Sequence, residues 1–283
     1  MSTLDEVVPG VFVRRAPYAE ATAANLDAIA NTGFLIGRDA VLVADPDGSL
    51  ADGAWLRAEI RARTDRPIRY VVISHVHLDH AFGAGAFLDD APEFIGHEHL
   101  PDALAVRGAF YRERLTEILG PEQVGPVVEP TRTVGPEGAT IDLGDRRLLL
   151  TAHAPAHTIS DLSMLDPVAG LLFPADLLFV GRVPSLDGSL SGWLAELDAL
   201  ESLGARSAIP GHGPALVDPA PAIAALRRYL ETLRDDVRRA IAAGRTLTEA
   251  TETAGLSERD GWALLDDYNG RNVAQAYKEL EWE

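Results

Sequence analysis

A strand-like run, Ile68-Arg69-Tyr70-Val71-Val72-Ile73, ends one residue before His75-Val76-His77-Leu78-Asp79-His80, and nothing else in the 283 residues narrows the fold as far. A largely apolar run of six reads as a buried strand. Groups just past the C-terminal end of such a strand lie where α/β proteins build their sites. Three imidazoles and a carboxylate in six residues suit a borderline-soft divalent cation such as zinc. A hexapeptide cannot wrap all four side chains around one ion, and a catalytic zinc takes three protein ligands plus an open position. Further ligands must therefore come from other strand ends.

The chain supplies such ends. Val11-Phe12-Val13, residues 33–37 and residues 41–44, each bounded by Gly, Pro or Asp, predict an antiparallel meander. Residues 49–64 have near-helical spacing through Trp55, Leu56 and Ile60. Residues 98–119 predict a helical excursion, and the Pro- and Gly-rich residues 120–138 a loop. More strands are expected at 147–152, 170–174 and 207–210, with a helix over 191–203. After Gly213 the character changes, because Ile223, Leu226, Leu230, Leu233, Val237 and Ile241 recur at three- and four-residue intervals up to Gly244. A second helix is expected from Thr248 to near Gly255, and a third after Ser257 as its cap. The expected organisation is an α/β catalytic domain over residues 1–218 with a helical appendage over 219–283, packed on it because the apolar stripe must be buried.

Three expected strand ends carry metal-ligand chemistry: His157 after 148–152, Asp176 after Leu171-Leu172-Phe173, and His212 in Pro210-Gly211-His212-Gly213-Pro214. All three sit at the same topological level as the first cluster. With these residues in this order, the chain resembles the metallo-β-lactamase-fold hydrolases from Val11 to about Gly213. The resemblance implies an αββα sandwich of two stacked sheets flanked by helices, with the ligands at one edge. It implies that His75, His77 and His157 bind a first metal, Asp79, His80 and His212 a second, and that Asp176 bridges them. The family's usual Gly-His-Thr-x-Gly stands here as Ala156-His157-Thr158-Ile159-Ser160, which keeps the ligand and loses both glycines. Within the fold, Arg182-Val183-Pro184-Ser185-Leu186-Asp187-Gly188-Ser189 with Gly192-Trp193, and the tail from Arg271-Asn272-Val273 to Glu281-Trp282-Glu283, resemble the quinoprotein relay system zinc metallohydrolases and their sulfur-oxidation-cluster relatives.

This ligand set predicts hydrolysis. Two ions roughly 3.5 to 4 Å apart would share a hydroxide as nucleophile and polarise a scissile carbonyl, so esters, thioesters, lactones and amides all fit. Zinc is expected, although iron or manganese accept the same donors. Asp79 joins ligand and catalytic roles. Arg182, in the loop after Asp176, is a candidate to clamp a substrate carboxylate, and Tyr111 to donate to a developing oxyanion. Three other readings stay open: β-lactam hydrolysis, against which Asp176 argues; sulfur oxidation by a one-iron relative of the persulfide dioxygenases; and a metal-binding maturation or carrier protein without catalysis. His153 reads as structural or as a group orienting a ligand. His97 and His99 read as structural or cleft-lining, and Arg107 and Arg114 as solvated helix charges.

Composition removes other classes. Twenty-five basic against forty-three acidic residues leave a net charge of −18, which repels polyanions and argues against a nucleic-acid partner. The longest apolar runs are strand-sized, far short of the roughly 18 residues that span a bilayer, so no membrane partner is expected. The expected partner is a small-molecule substrate. Met1 to Glu6 have no basic head and no apolar stretch behind them, so a cytoplasmic location is expected, though a trimmed export signal would leave the same start. The absence of cysteine fits either redox compartment.

Overall fold

The computed structural model describes residues 4–283; the reading of Met1 to Thr3 as part of a leaderless start lies outside them. Strands β2 (Val11–Arg14), β3 (Thr32–Ile36) and β4 (Val41–Ala44) form the expected antiparallel meander, and β1 (Leu4–Val8) adds an antiparallel strand at its edge. Strands β5 (Ile68–Ile73), β6 (Glu93–His97) and β7 (Arg132–Val134) extend that sheet in parallel. The second sheet runs antiparallel through β8 (Ala139–Asp142), β9 (Arg147–Ala152), β10 (Leu162–Asp166) and β11 (Leu171–Phe179), with β12 (Ser207–His212) parallel to β11 at its edge.

Alternation along the strands sorts the core into layers. Phe34, Val43, Val71 and Ile73 pack with Leu56 and Ile60 of α1 (Leu50–Arg61), and with Leu104 and Leu115 of α3 (Leu100–Leu119). Their neighbours Leu35, Leu42 and Val72 point the other way, onto Leu150 and Leu162 of the second sheet. Both faces are covered, so the central strands are apolar on both sides. Each fully buried Val, Leu, Ile or Phe contributes about 1.5–3 kcal/mol. The outer face of the second sheet carries α4 (Leu190–Ser202), α5 (Pro219–Ala242), α6 (Leu247–Thr251) and α7 (Leu265–Leu280). The result is the αββα sandwich with a C-terminal helical part. The stripe Ile223, Leu226, Leu230, Leu233 and Val237 lies in one core with Phe179 and Trp193. Among the described residues no helix is long and apolar enough to cross a membrane.

Several elements differ from expectation. The loop expected over 120–138 contains β7, and β1, β6, β8 and β10 add strands at positions without a sequence expectation. Strand β11 does not stop at Pro174 but continues to Phe179, kinking at Ala175 (φ 47°), where its register with β12 shifts. The second C-terminal helix, α6, starts one residue earlier, at Leu247, capped reciprocally by Thr246 and Glu249, and ends at Thr251, short of Gly255. Ser257 caps no α-helix. It lies in a 3₁₀ turn, and α7 begins only at Leu265 because Ala263 is drawn into backbone bonds with Gly181 (2.8 Å) and Val183 (3.0 Å).

Candidate metal centre

Five histidines and two aspartates converge at one edge of the sandwich. His75 and His77 leave the C-terminal end of β5, and the single turn α2 (Leu78–Ala81) carries Asp79 and His80. His157 comes from the β9–β10 loop, Asp176 from the kinked part of β11, and His212 is the last residue of β12. Ligand-capable atoms of His75, His77, His157 and Asp176 all lie within 4.8 Å of one another, as do those of Asp79, His80 and His212.

Which nitrogen faces inward is fixed by what the other one does. The outer N–H of each ring has its own acceptor: His75 Nδ1 at 2.9 Å from Ser74 Oγ, His77 Nε2 at 2.9 Å from Asp187 Oδ2, and His80 Nδ1 at 2.8 Å from Asp45 Oδ2. His157 Nδ1 lies 2.7 Å from the Ser185 carbonyl, and His212 Nδ1 2.8 Å from that of Ile29. Ser74 Oγ can accept from His75 because its own proton goes to Asp45 Oδ2 at 2.9 Å. Each ring is thereby held as the tautomer whose lone pair points into the site.

The inward nitrogens of His75, His77 and His157 meet with no protons between them. His77 Nδ1 is 3.1 Å from His75 Nε2 and 2.9 Å from His157 Nε2, distances usual for hydrogen bonds but here between two acceptors. His80 Nε2 and Asp176 Oδ1 are buried without a hydrogen-bond partner. Atoms bound to one tetrahedral ion at 2.0–2.1 Å lie about 3.3 Å apart, so this spacing fits a cation. Asp176 faces both groups. Its Oδ2 is 3.7 Å from His75 Nε2, 3.3 Å from His157 Nε2 and 3.4 Å from His212 Nε2, while Oδ1 is 3.1 Å from His80 Nε2. Asp79 Oδ2 stands 3.3 Å from His212 Nε2.

The charge balance agrees. Burial holds His75 well below the ordinary imidazole range and His157 at about 3, so both are neutral and ready to donate a lone pair. Burial would depress His80 as well, but Asp176, Asp45 and Asp79 overrule it and raise its affinity for positive charge. Against the upward push of burial, His212 and His80 hold Asp176 well down, as an anion. Gly211 makes the approach possible: a Cβ there would stand 1.8 Å from Asp176 Oδ1.

Around this centre the remaining candidates take different places. Arg182 reaches the site but is 4% exposed and engaged. Its Nη1 packs against the His212 ring, 3.0 and 3.1 Å from the two nitrogens, its Nη2 donates to Tyr268 Oη at 3.1 Å, and Glu20 stands 3.8 Å away. Since His212 Nδ1 already donates to Ile29, the contact is a cation against a ring, and Nε of the guanidinium is buried without a partner. Tyr111 is buried on α3, with its ring centroid 6.3 Å from that of His77, and its hydroxyl accepts from Arg107 at 3.0 Å. Arg107 is not the solvated helix charge expected, because it also pairs with Asp187. His97 and His153 lie outside both groups: His97 Nε2 donates to the His153 carbonyl at 3.1 Å, and His153 is held by Glu196 at 2.6 Å and Ser163 at 2.7 Å. His99 donates its backbone N–H to His97 Nδ1 at 3.0 Å. Arg114 pairs with Glu117 on the exposed face of α3.

Sequence reasoning missed Asp45 and Asp187. Asp45 stands one residue past β4, at the strand-end level that singled out the ligands, so the same criterion would have found it. Asp187 sits in the 182–189 segment, and no local signal ties it to His77. Without its two family glycines, the His157 loop is braced instead by backbone bonds from Asp187 (2.9 Å) and Gly188 (2.8 Å) to the His157 carbonyl, and by Thr158 Oγ1 donating to Asp161 at 2.6 Å.

A family model of the metallo-beta-lactamase superfamily matches residues 27–212, and the chain belongs to that superfamily. In overall structure it is similar to a metallo-beta-lactamase from Pontibacter korlensis, with a TM-score of 0.66 and 15% identity over 82% of this chain and 99% of that one. It is also similar to a stereoselective inverting sec-alkylsulfatase from Pseudomonas sp., with a TM-score of 0.73 and 18% identity over 99% of this chain and 50% of that one. A curated relative, the alpha subunit of a 2,4-dinitroanisole O-demethylase from Nocardioides sp. (strain JS1661), is 22% identical over 189 residues. That match takes in 66% of this chain, which spans about half the length of the relative (53%).

Proposed function

We propose that this protein is a metal-dependent hydrolase with a two-ion centre, which opens a carbonyl-centred bond of a small molecule. The observation that supports this best is Asp176, one carboxylate oxygen of which faces His75, His157 and His212 while the other faces His80. His75, His77 and His157 would hold one ion, Asp79, His80 and His212 the other, and Asp176 both. Bound there, two divalent ions would bring a water's pKa down to about 7 and polarise the bond under attack. Zinc suits the nitrogen-rich donor set.

The chain's own groups have separate tasks. Asp45, Asp187 and the Ser185 and Ile29 carbonyls keep the imidazoles in tautomer and orientation. Asp79, which His80 and His212 hold well below the usual carboxylate range against the effect of burial, stays ionised as a ligand. The Tyr111 hydroxyl accepts from Arg107 and keeps its own proton, so it can donate to an oxyanion developing beside His77. Arg182 orders His212. Arg182 Nη1 and Nη2 are engaged within the protein, and its buried Nε is the guanidinium N–H left for a substrate carboxylate. Residues 1–218 form the catalytic unit of this reading and 219–283 an appendage that braces it. The 182–189 segment and the C-terminal tail support a place in the quinoprotein relay and sulfur-oxidation branch.

The test is metal quantification coupled to turnover on a panel of esters, thioesters, lactones, amides and nitrocefin. Two equivalents of divalent metal, with hydrolysis of at least one carbonyl class and little of nitrocefin, is the expected result. One equivalent of iron with oxygen uptake on glutathione persulfide would replace the hydrolase reading, and inactivity across the whole panel would favour a carrier.

A further inference from the structure

A cavity of about 260 Å³ opens beside His77, between α3 and the loop that follows His157. Its apolar wall is Val76, Ala103, Val106 and Ile159. Val76 lies between two site histidines in the sequence, and Asp187, also in the lining, is 2.9 Å from His77 Nε2. The cavity therefore borders the centre through Asp187, the hydrogen-bond partner of His77. Val106 is 80% exposed and Ile159 45% exposed, an apolar lip on both sides of the opening.

Part of its polar lining is already committed. Arg107 Nη1 is shared between Asp187 and Tyr111, and the Thr158 hydroxyl donates to Asp161. Asp102, exposed on α3, adds a second carboxylate against the single guanidinium. The lining is thus apolar with one surplus negative charge. The surplus negative charge disfavours an anionic group, and Val76, Ala103, Val106 and Ile159 give the cavity its mainly apolar wall.

We propose that this cavity binds an uncharged apolar substituent of the substrate, an aliphatic chain of roughly six carbons or a single aromatic ring. The volume is just under the roughly 300–1,000 Å³ of sites that take a whole drug-sized ligand, which suits one substituent. The proposal rests on the hydrolase reading for what lies beyond the substituent, but occupancy of the cavity can be measured without turnover.

The experiment is methyl NMR on the full chain, labelled at Ile and Val, titrated with hexan-1-ol and separately with hexanoate at pH 8. Hexan-1-ol is expected to shift the Val76, Val106 and Ile159 methyls saturably, and hexanoate at the same concentrations to leave them in place. Val106→Asp, a change at an exposed position, should abolish the hexan-1-ol response while the rest of the spectrum stays native. No response to hexan-1-ol, or an equal response to hexanoate, would overturn the proposal. The kinetic counterpart compares 4-nitrophenyl acetate, butyrate and hexanoate: kcat/KM should rise at least about tenfold along the series, and Val106→Asp should bring the hexanoate-to-acetate ratio towards one. A flat series in the wild type contradicts the proposal. If no ester, thioester, lactone or amide of the panel is turned over while hexan-1-ol still binds, the apolar site stands and the carbonyl-hydrolysis reading falls.

Discussion

Each site imidazole is fixed by an acceptor on its outer nitrogen, and that outer layer is itself anchored in buried charge. Asp45 and Asp47 both sit at positive φ, 57° and 76°, in the turn between β4 and α1. Asp47 accepts from Thr32 at 2.5 Å and pairs with Arg14, which also reaches Asp52 at 3.0 Å. Burial pushes the Asp47 carboxyl up to about 6 even with Arg14 beside it. An acid whose folded pKa lies above its unfolded one binds more protons when folded, so its contribution to stability falls as pH rises from about 4 through 6. Arg14→Met removes the compensating cation and should cost about 3–5 kcal/mol at pH 8. The loss should be visibly smaller at pH 5, where Asp47 carries a proton. Urea unfolding at the two pH values measures this, and an equal loss at both would show that Asp47 is not the group strained by the substitution.

At the scale of elements, α7 does more than cover an apolar stripe. Asn272 accepts from the Leu186 N–H at 2.9 Å and donates to the Pro184 carbonyl at 2.7 Å, while Glu279 accepts from Leu190 and Ser191 at the start of α4. Gln275 donates to the Gly188 carbonyl at 3.0 Å. These bonds hold the segment that supplies the Ser185 carbonyl to His157 and Asp187 to His77. Asn272→Ala should therefore lower affinity for a metal that His75, His77 and His157 would hold about tenfold or more, read by competition with a chromophoric chelator. Unchanged affinity in a folded variant would mean that the segment holds its shape without α7. Both segments stood out in the sequence as resembling one branch, but nothing there tied Asn272 to residues 184–186. What was legible follows from periodicity and strand ends: β5, β9, α5 and all seven ligand candidates. Strands β6, β8 and β10 were not, because short runs interrupted by Gly, Asp or Ser take their strand identity from the neighbours they pair with. Asp176 was found for a partly mistaken reason, since it stands within β11 at a kink and not past its end.

In the whole molecule, three cores hold two sheets and two helical layers together, and every site element leaves one edge of that assembly. The proposed chemistry requires this edge to hold two cations around one shared carboxylate. Asparagine at position 176 keeps the shape of the side chain but removes the charge that offsets the repulsion between the ions. The most direct measurement is metal content per chain, by elemental analysis of metal-loaded and desalted protein, for the wild type and Asp176→Asn. About two equivalents in the wild type, falling towards one in the variant with folding intact, is the predicted result; turnover should drop roughly 100-fold or more. Two full equivalents retained by Asp176→Asn, or one in the wild type under saturating metal, would contradict the shared-carboxylate centre.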